Sequence, residues 1–244
     1  MSKRGRQQIL AFGPKRRKRR RGTRLGRTPR PERIGFVPHV TRSAHDARHP
    51  VHVSIKRVER GPSFRAQRVY AAILHELAAA AARGVRVLHY SIQHDHVHLI
   101  VEAEDGPKLA RGMQLLFSRI AFAVNRVAMR SGRVFRDRHH RHELTTPTEV
   151  RRALVYVLFN TRKHAARSVS ARASIPTELD ACSSTIWFTG WDPRARPPPD
   201  VVARELARAG PSPLSEPRTW LARVGWKRAG GPIHFAESPL PPRR

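Results

Sequence analysis

The chain has 244 residues, 39% of them hydrophobic, with a mean hydropathy of −0.53. Its 48 Lys and Arg outnumber 18 Asp and Glu, a formal charge of +30 that opposes compaction unless a polyanion neutralises it, so nucleic acid is the expected partner. A single cysteine, Cys182, excludes an intrachain disulfide and a cysteine-based zinc finger. No apolar stretch is long enough to span a bilayer and no signal peptide precedes "KRRKRRR", so the expected location is the cytoplasm, on the nucleoid through DNA.

Composition divides the chain into three parts. Residues 1–47 form a basic arm expected to be largely disordered, with 14 Lys or Arg and one Glu in the first 35 positions. Within it Lys15, Arg16, Arg17, Lys18, Arg19, Arg20 and Arg21 are candidate phosphate contacts. Residues 48–165 carry nearly all the periodic pattern. "VHVSIKRV" alternates and predicts a strand. "FRAQRVYAAILHELAAAAARG" predicts a helix with Val69, Ile73 and Leu77 on one face and Gly84 as its stop. "VRVLHYSI" and "HVHLIVEA" predict two strands joined through Gln93, His94 and Asp95. "PKLARGMQLLFSRIAFAVNRVAMRSG" predicts a long helix with Pro107 near its start and Gly132 past its end. "RVFRDRHHRHEL" is a strand candidate, whose Arg136, Arg138 and Arg141 could face DNA or simply be a solvated charged edge. "TPTEVRRALVYVLFNTRKHA" predicts a helix capped by Thr146, with Pro147 and Glu149 completing a capping box. The expected fold is therefore α+β: a ferredoxin-like βαββαβ core with an antiparallel sheet, then a further helix. Residues 166–244 hold 12 of the 20 prolines and all four tryptophans, an irregular extension whose aromatic clusters either pack on the core or stack bases.

Alternation in "HVHLIVEA" puts His96 and His98 on one face of a strand and Val97, Leu99 and Val101 on the other. Two imidazoles side by side on a rigid strand make half of a divalent-metal site, although a basic strand in a chain with 14 His can produce the same pattern. His94 has the same parity but falls in the expected turn, and Asp95 is placed to orient an imidazole. On the last helix, spacing of four aligns Arg152, Tyr156, Asn160 and His164 in a polar stripe opposite Val150, Leu154, Val157 and Leu158.

The succession "HDHVHLIVEAED", "FRDRHHRHEL" and "EVRRALVYVLFN" resembles the single-tyrosine HUH transposases, most of all the REP-associated tyrosine transposases and their transposase-like relatives. The likeness covers about residues 48–165. It implies that His96-Val97-His98 is the HUH motif, that Tyr156 is the nucleophile, and that Asn160 completes a Mg²⁺ or Mn²⁺ site. Relatives often carry proline after that amide, where this chain has Thr161.

The resemblance further implies cleavage and rejoining of single-stranded or hairpin DNA through a 5′-phosphotyrosine, by a monomer or a homodimer. Arg136, Arg138, Arg141, Arg152 and the basic arm would contact the DNA. Two other readings fit the same residues: a hairpin-binding protein that has lost transposition, and a replication initiator or relaxase with the same chemistry.

Overall fold

A computed structural model describes residues 44–165 and 179–239. The predicted basic contacts from Lys15 to Arg21 lie outside the described residues. The strands are β1 (Val51–Lys56), β2 (Arg86–Ile92), β3 (His96–Glu102) and β4 (His140–Glu143). The helices are α1 (Gln67–Ala78), α2 (Gly106–Val127), α3 (Pro147–Leu158), α4 (Asn160–Ala165), α5 (Pro199–Ala209) and α6 (Trp220–Arg223).

The strands form one sheet in the order β2-β3-β1-β4, and every pairing is antiparallel. Both β1 and β2 run opposite to β3, which lies between them, so the β1-α1-β2 crossover is split by an inserted strand. The β2–β3 hairpin closes where the Gln93 N–H donates to the His96 carbonyl at 2.8 Å. Gly84 ends the turn after α1 with φ 85°, a left-handed conformation that other residues adopt at a cost. Gly112 lets α2 lie against the chain entering β2, because a Cβ there would stand 2.3 Å from Val85 Cγ2.

Strand alternation gives the sheet two faces. Val51, Val53 and Ile55 of β1 and Val97, Leu99 and Val101 of β3 point to one side. There they meet Val69, Ile73 and Leu77 of α1 and Leu109, Met113, Leu116, Ile120 and Val124 of α2. Each such side chain contributes about 1.5–3 kcal/mol of burial free energy. α3 covers the opposite face, packing Val150, Ala153, Leu154 and Val157 against Leu88 and Ile100. The Thr146 and Glu149 capping box forms as the sequence predicts.

Four expectations change. The strand expected across "RVFRDRHHRHEL" is confined to His140–Glu143, with an isolated bridge from Phe135 to Arg57; Phe135 and His139 instead turn in to pack on Phe117. The last helix breaks at Phe159 (φ −113°, ψ 25°), so Asn160 opens α4 and does not continue α3. The basic arm is expected to run to residue 47, yet the His45 side chain is buried and its Nδ1 lies 3.0 Å from Glu143.

The irregular extension, finally, contains the amphipathic α5 and packs on the outer side of α3. Phe188, Leu221, Trp226 and Ile233 join the α3 core, and Trp191 meets Phe188 edge to face at 4.8 Å. Arg151 of α3 makes a two-pronged ion pair with Glu237 at 2.6 and 2.9 Å. The guanidinium of Arg162 lies 4.2 Å from the Phe159 ring centre and 4.7 Å from that of Phe235. Packing thus accounts for Trp187, Trp191 and Trp226, whereas Trp220 stays 48% exposed.

Candidate active site on the histidine face of the sheet

The face under α3 carries the candidate chemistry. His96 and His98 share it, as strand parity requires, and their ring centres are 4.9 Å apart. Cross-strand pairing brings Ser54 opposite His98, His140 opposite Ser54, and His142 opposite His52. His52, His96, His98, His140 and His142 therefore belong to one face, contributed by three strands.

Tyr156 descends onto this face from α3. Its hydroxyl lies 3.5 Å from His98 Nε2, at the outer limit of a hydrogen bond, and the two rings meet edge to face at 5.0 Å. His52 stacks on His98 at 5.3 Å with 13° between the planes, and meets Tyr156 edge to face at 5.9 Å. The sequence reading missed His52. Its signal was the same parity that was used for His96 and His98, applied to "VHVSIK", but a lone histidine has no spacing to mark it.

Asp95 takes the predicted orienting position. Its carboxylate accepts from His96 Nδ1 at 2.6 Å and pairs with Lys56 Nζ at 3.0 Å. These partners, His96 first, hold the Asp95 carboxyl well below the usual carboxylate range against the opposing effect of burial. A proton held on Nδ1 makes Nε2 the lone-pair nitrogen of His96, the tautomer a metal ligand needs. His94 is exposed in the turn and lies 2.9 Å from Ser63 Oγ, on the α1 side of the hairpin.

Tyr156 and Asn160 do not stand on an open polar stripe. Arg152 is exposed, but Tyr156 is 4% and Asn160 0% exposed, and the Tyr156 ring faces the sheet, against His52 and His98. Both amide atoms of Asn160 are buried without a hydrogen-bond partner among the described residues. Burying an amide in that state costs free energy that a bond to a further group would recover. No cluster of three or more His, Cys, Asp or Glu able to hold a metal occurs among the described residues, so a cation here would need the amide as well as the imidazoles.

The other two tyrosines lie away from this face. Tyr70 and Tyr90 share a 3.1 Å hydrogen bond on the α1 side. Burial pushes the Tyr70 phenol up to about 12 and Tyr90 further still. Among the candidate DNA contacts, Arg152 is exposed, Arg136 and Arg138 are half-buried, and Arg141 lies 3.7 Å from Glu143 with its side chain 10% exposed. The picture of β4 as a freely solvated basic strand therefore does not hold. Among the described residues no helix is long and apolar enough to cross a membrane.

No family model and no curated protein matches the sequence. Among solved structures the chain is similar to a REP-associated tyrosine transposase bound to a REP hairpin, with 14% identity and a TM-score of 0.43, over 52% of this chain and 74% of that one.

Proposed function

We propose that this chain cleaves and rejoins single-stranded DNA, using Tyr156 as the nucleophile on a ferredoxin-like core. The observation that carries the reading is the position of the Tyr156 hydroxyl, 3.5 Å from Nε2 of His98, beside a second imidazole whose tautomer Asp95 sets. His96, His98 and Asn160 would hold a Mg²⁺ or Mn²⁺ ion, and the buried amide of Asn160, without a hydrogen-bond partner among the described residues, fits that use. The ion, when bound, would neutralise phosphate charge and act as Lewis acid toward the leaving oxygen.

The chain's own residues supply the rest. Asp95 fixes the His96 ring, and the stacked His52 and His98 rings together form the surface that Tyr156 meets edge to face. The phenol oxygen forms a bond to phosphorus and the bond from phosphorus to the 3′ oxygen breaks. The phenol proton leaves to solvent and the 3′ oxygen takes one up. The phosphotyrosine diester keeps the energy of the broken bond, so rejoining is the reverse attack and consumes no nucleotide triphosphate.

Burial of Tyr156 at 4% exposure favours a second reading. A phosphate reaches a hydroxyl so buried only if the residues around it move, and a protein that binds hairpin DNA without cutting it needs no such movement. Covalent capture separates the two. With a hairpin oligonucleotide bearing a single-stranded flank and Mn²⁺, the wild type should give a denaturant-stable adduct and Tyr156→Phe none. Binding without adduct in both proteins would establish the second reading instead.

A further inference from the structure

A cleft of about 700 Å³ opens at the far end of the histidine face. Its lining includes Trp220, Arg48, His49, Arg86, Arg218 and Pro147. Glu102 shares the strand parity of His96 and His98, and its carboxylate accepts the backbone N–H groups of Arg218 at 2.8 Å and Thr219 at 3.0 Å. That anchor sets Trp220 over the same side of the sheet as Tyr156. Five residues of extended chain separate His98 from Ala103 at the cleft, about 17 Å along the strand. Nine helical residues separate Tyr156 from Pro147, again about 14 Å. The cleft and the candidate nucleophile thus stand a few nucleotides apart on one face.

Trp220 is held in place without being buried. The Thr219 hydroxyl caps its short helix by accepting from the Ala222 N–H at 3.2 Å. Gly225 lies flat against the indole, since a Cβ there would come within 2.6 Å of Cζ3. The Arg228 guanidinium is 5.0 Å from the ring centre. The indole is nonetheless 48% exposed, while the other three tryptophans pack into the fold. Around it stand Arg48, Arg86 and Arg218, paired with Asp46, Glu102 and Glu104, and of these Arg86 is held by the buried Glu102 carboxylate at 3.1 Å. The Arg48 and Arg218 side chains are 83% and 68% exposed in their pairs with Asp46 and Glu104, and such solvated pairs exchange readily for phosphate. A fixed aromatic ring rimmed by accessible guanidiniums is how single-stranded nucleic acid is gripped independently of sequence.

We infer that this cleft is a stacking subsite for one unpaired base of the DNA strand, with Trp220 under the base and Arg48 and Arg218 on the flanking phosphates. The inference rests on the proposed action on single-stranded DNA and extends it to residues of the C-terminal extension. The test is binding of the full chain to a fluorescent hairpin oligonucleotide with a single-stranded flank, with an abasic site walked through the flank. Trp220→Ala should weaken binding about 10- to 100-fold, and Trp220→Phe much less. One abasic position should weaken the wild type by the same factor and the Trp220→Ala protein no further. Arg218→Ala should weaken binding and flatten its salt dependence, a second readout if Trp220→Ala unfolds. Wild-type affinity in Trp220→Ala, or abasic losses equal in both proteins at every position, would overturn the subsite and leave the chemistry at Tyr156 standing. A deoxynucleoside monophosphate that competes as well as the oligonucleotide would overturn the strand assignment. Failure of the wild type to bind the oligonucleotide at all would overturn both proposals.

Discussion

The two faces of the sheet are read from alternate residues of the same strands, and they are built on opposite principles. Toward α1 and α2 the residues are Val, Ile, Leu and Tyr, and nearly all of them are below 5% exposed. Toward α3 the same strands present His52, Ser54, His96 and His98, also buried. A buried imidazole or amide needs partners that a buried valine does not. An all-apolar second face would hold α3 at lower cost, so stability does not explain the histidines. On the proposed function the difference separates a foundation from a working surface, and substitutions on the two faces should then fail in different ways.

The widest separation is expected between Leu116→Ala and His98→Gln. Leu116 is fully buried on the α2 side, and its truncation should cost about 2–5 kcal/mol of stability. Adduct formation per folded molecule should hardly change. His98→Gln keeps the volume and a hydrogen-bonding end but removes the imidazole, and should lower adduct yield about 100-fold or more with a smaller loss in the denaturation midpoint. Chemical denaturation run beside covalent capture reads both quantities. If the two variants lose stability and adduct in the same proportion, the division of labour between the faces is wrong.

What could be read from the sequence follows the same division. Strand and helix periodicity exposed the first core, because Val51, Val53 and Ile55, and then Val69, Ile73 and Leu77, repeat at the spacing their elements require. The His96 and His98 pair was visible for that reason too. The break at Phe159 was not, because "VLFNTRK" contains neither glycine nor proline and continues the helical pattern across the break. Nor was the cover over α3. Phe188, Trp226 and Ile233 sit in short turns and loops with no period, so their burial depends on long-range packing that local pattern does not encode. Tyr156 and Asn160 also read as solvent-facing, since nothing in the local pattern shows that α3 turns its tyrosine toward the histidines, yet they are among the most buried polar residues of the site.

The junction between the sheet and the extension offers a test by pH. The His89 imidazole lies against Ser184 at 3.2 Å and Phe188 at 5.6 Å, and burial lowers its pKa to about 4 from 6.5. The folded chain keeps this ring neutral down to about pH 4, while the unfolded chain protonates it from about pH 6.5. The unfolded state therefore binds more protons between those values, and stability should fall as pH drops across that window, by about 2–3 kcal/mol. Asp95, with its depressed pKa, adds its own loss in more acidic solution as the carboxylate is protonated. Subtracting the pH profile of His89→Gln from that of the wild type isolates the ring's share. An unchanged profile would mean that the extension does not enclose His89 in solution.

The smallest effect is expected at the start of α3, and it probes how the working surface depends on its helix. The Thr146 hydroxyl accepts the Glu149 N–H at 3.2 Å, and the Glu149 carboxylate accepts the N–H groups of Thr145 at 2.8 Å and Thr146 at 3.2 Å. Thr146→Ala removes one of these partners and should cost about 1 kcal/mol. The damage should stay local, because fraying is confined to the first turn. Tyr156 lies ten residues further on, buried against the His52 and His98 rings of the sheet. Adduct yield in Thr146→Ala should therefore match the wild type under native conditions, and the denaturation midpoint alone should move. A loss of adduct larger than the loss of stability would mean that the cap sets the position of the tyrosine over His98, and that the first turn of α3 is part of the working surface.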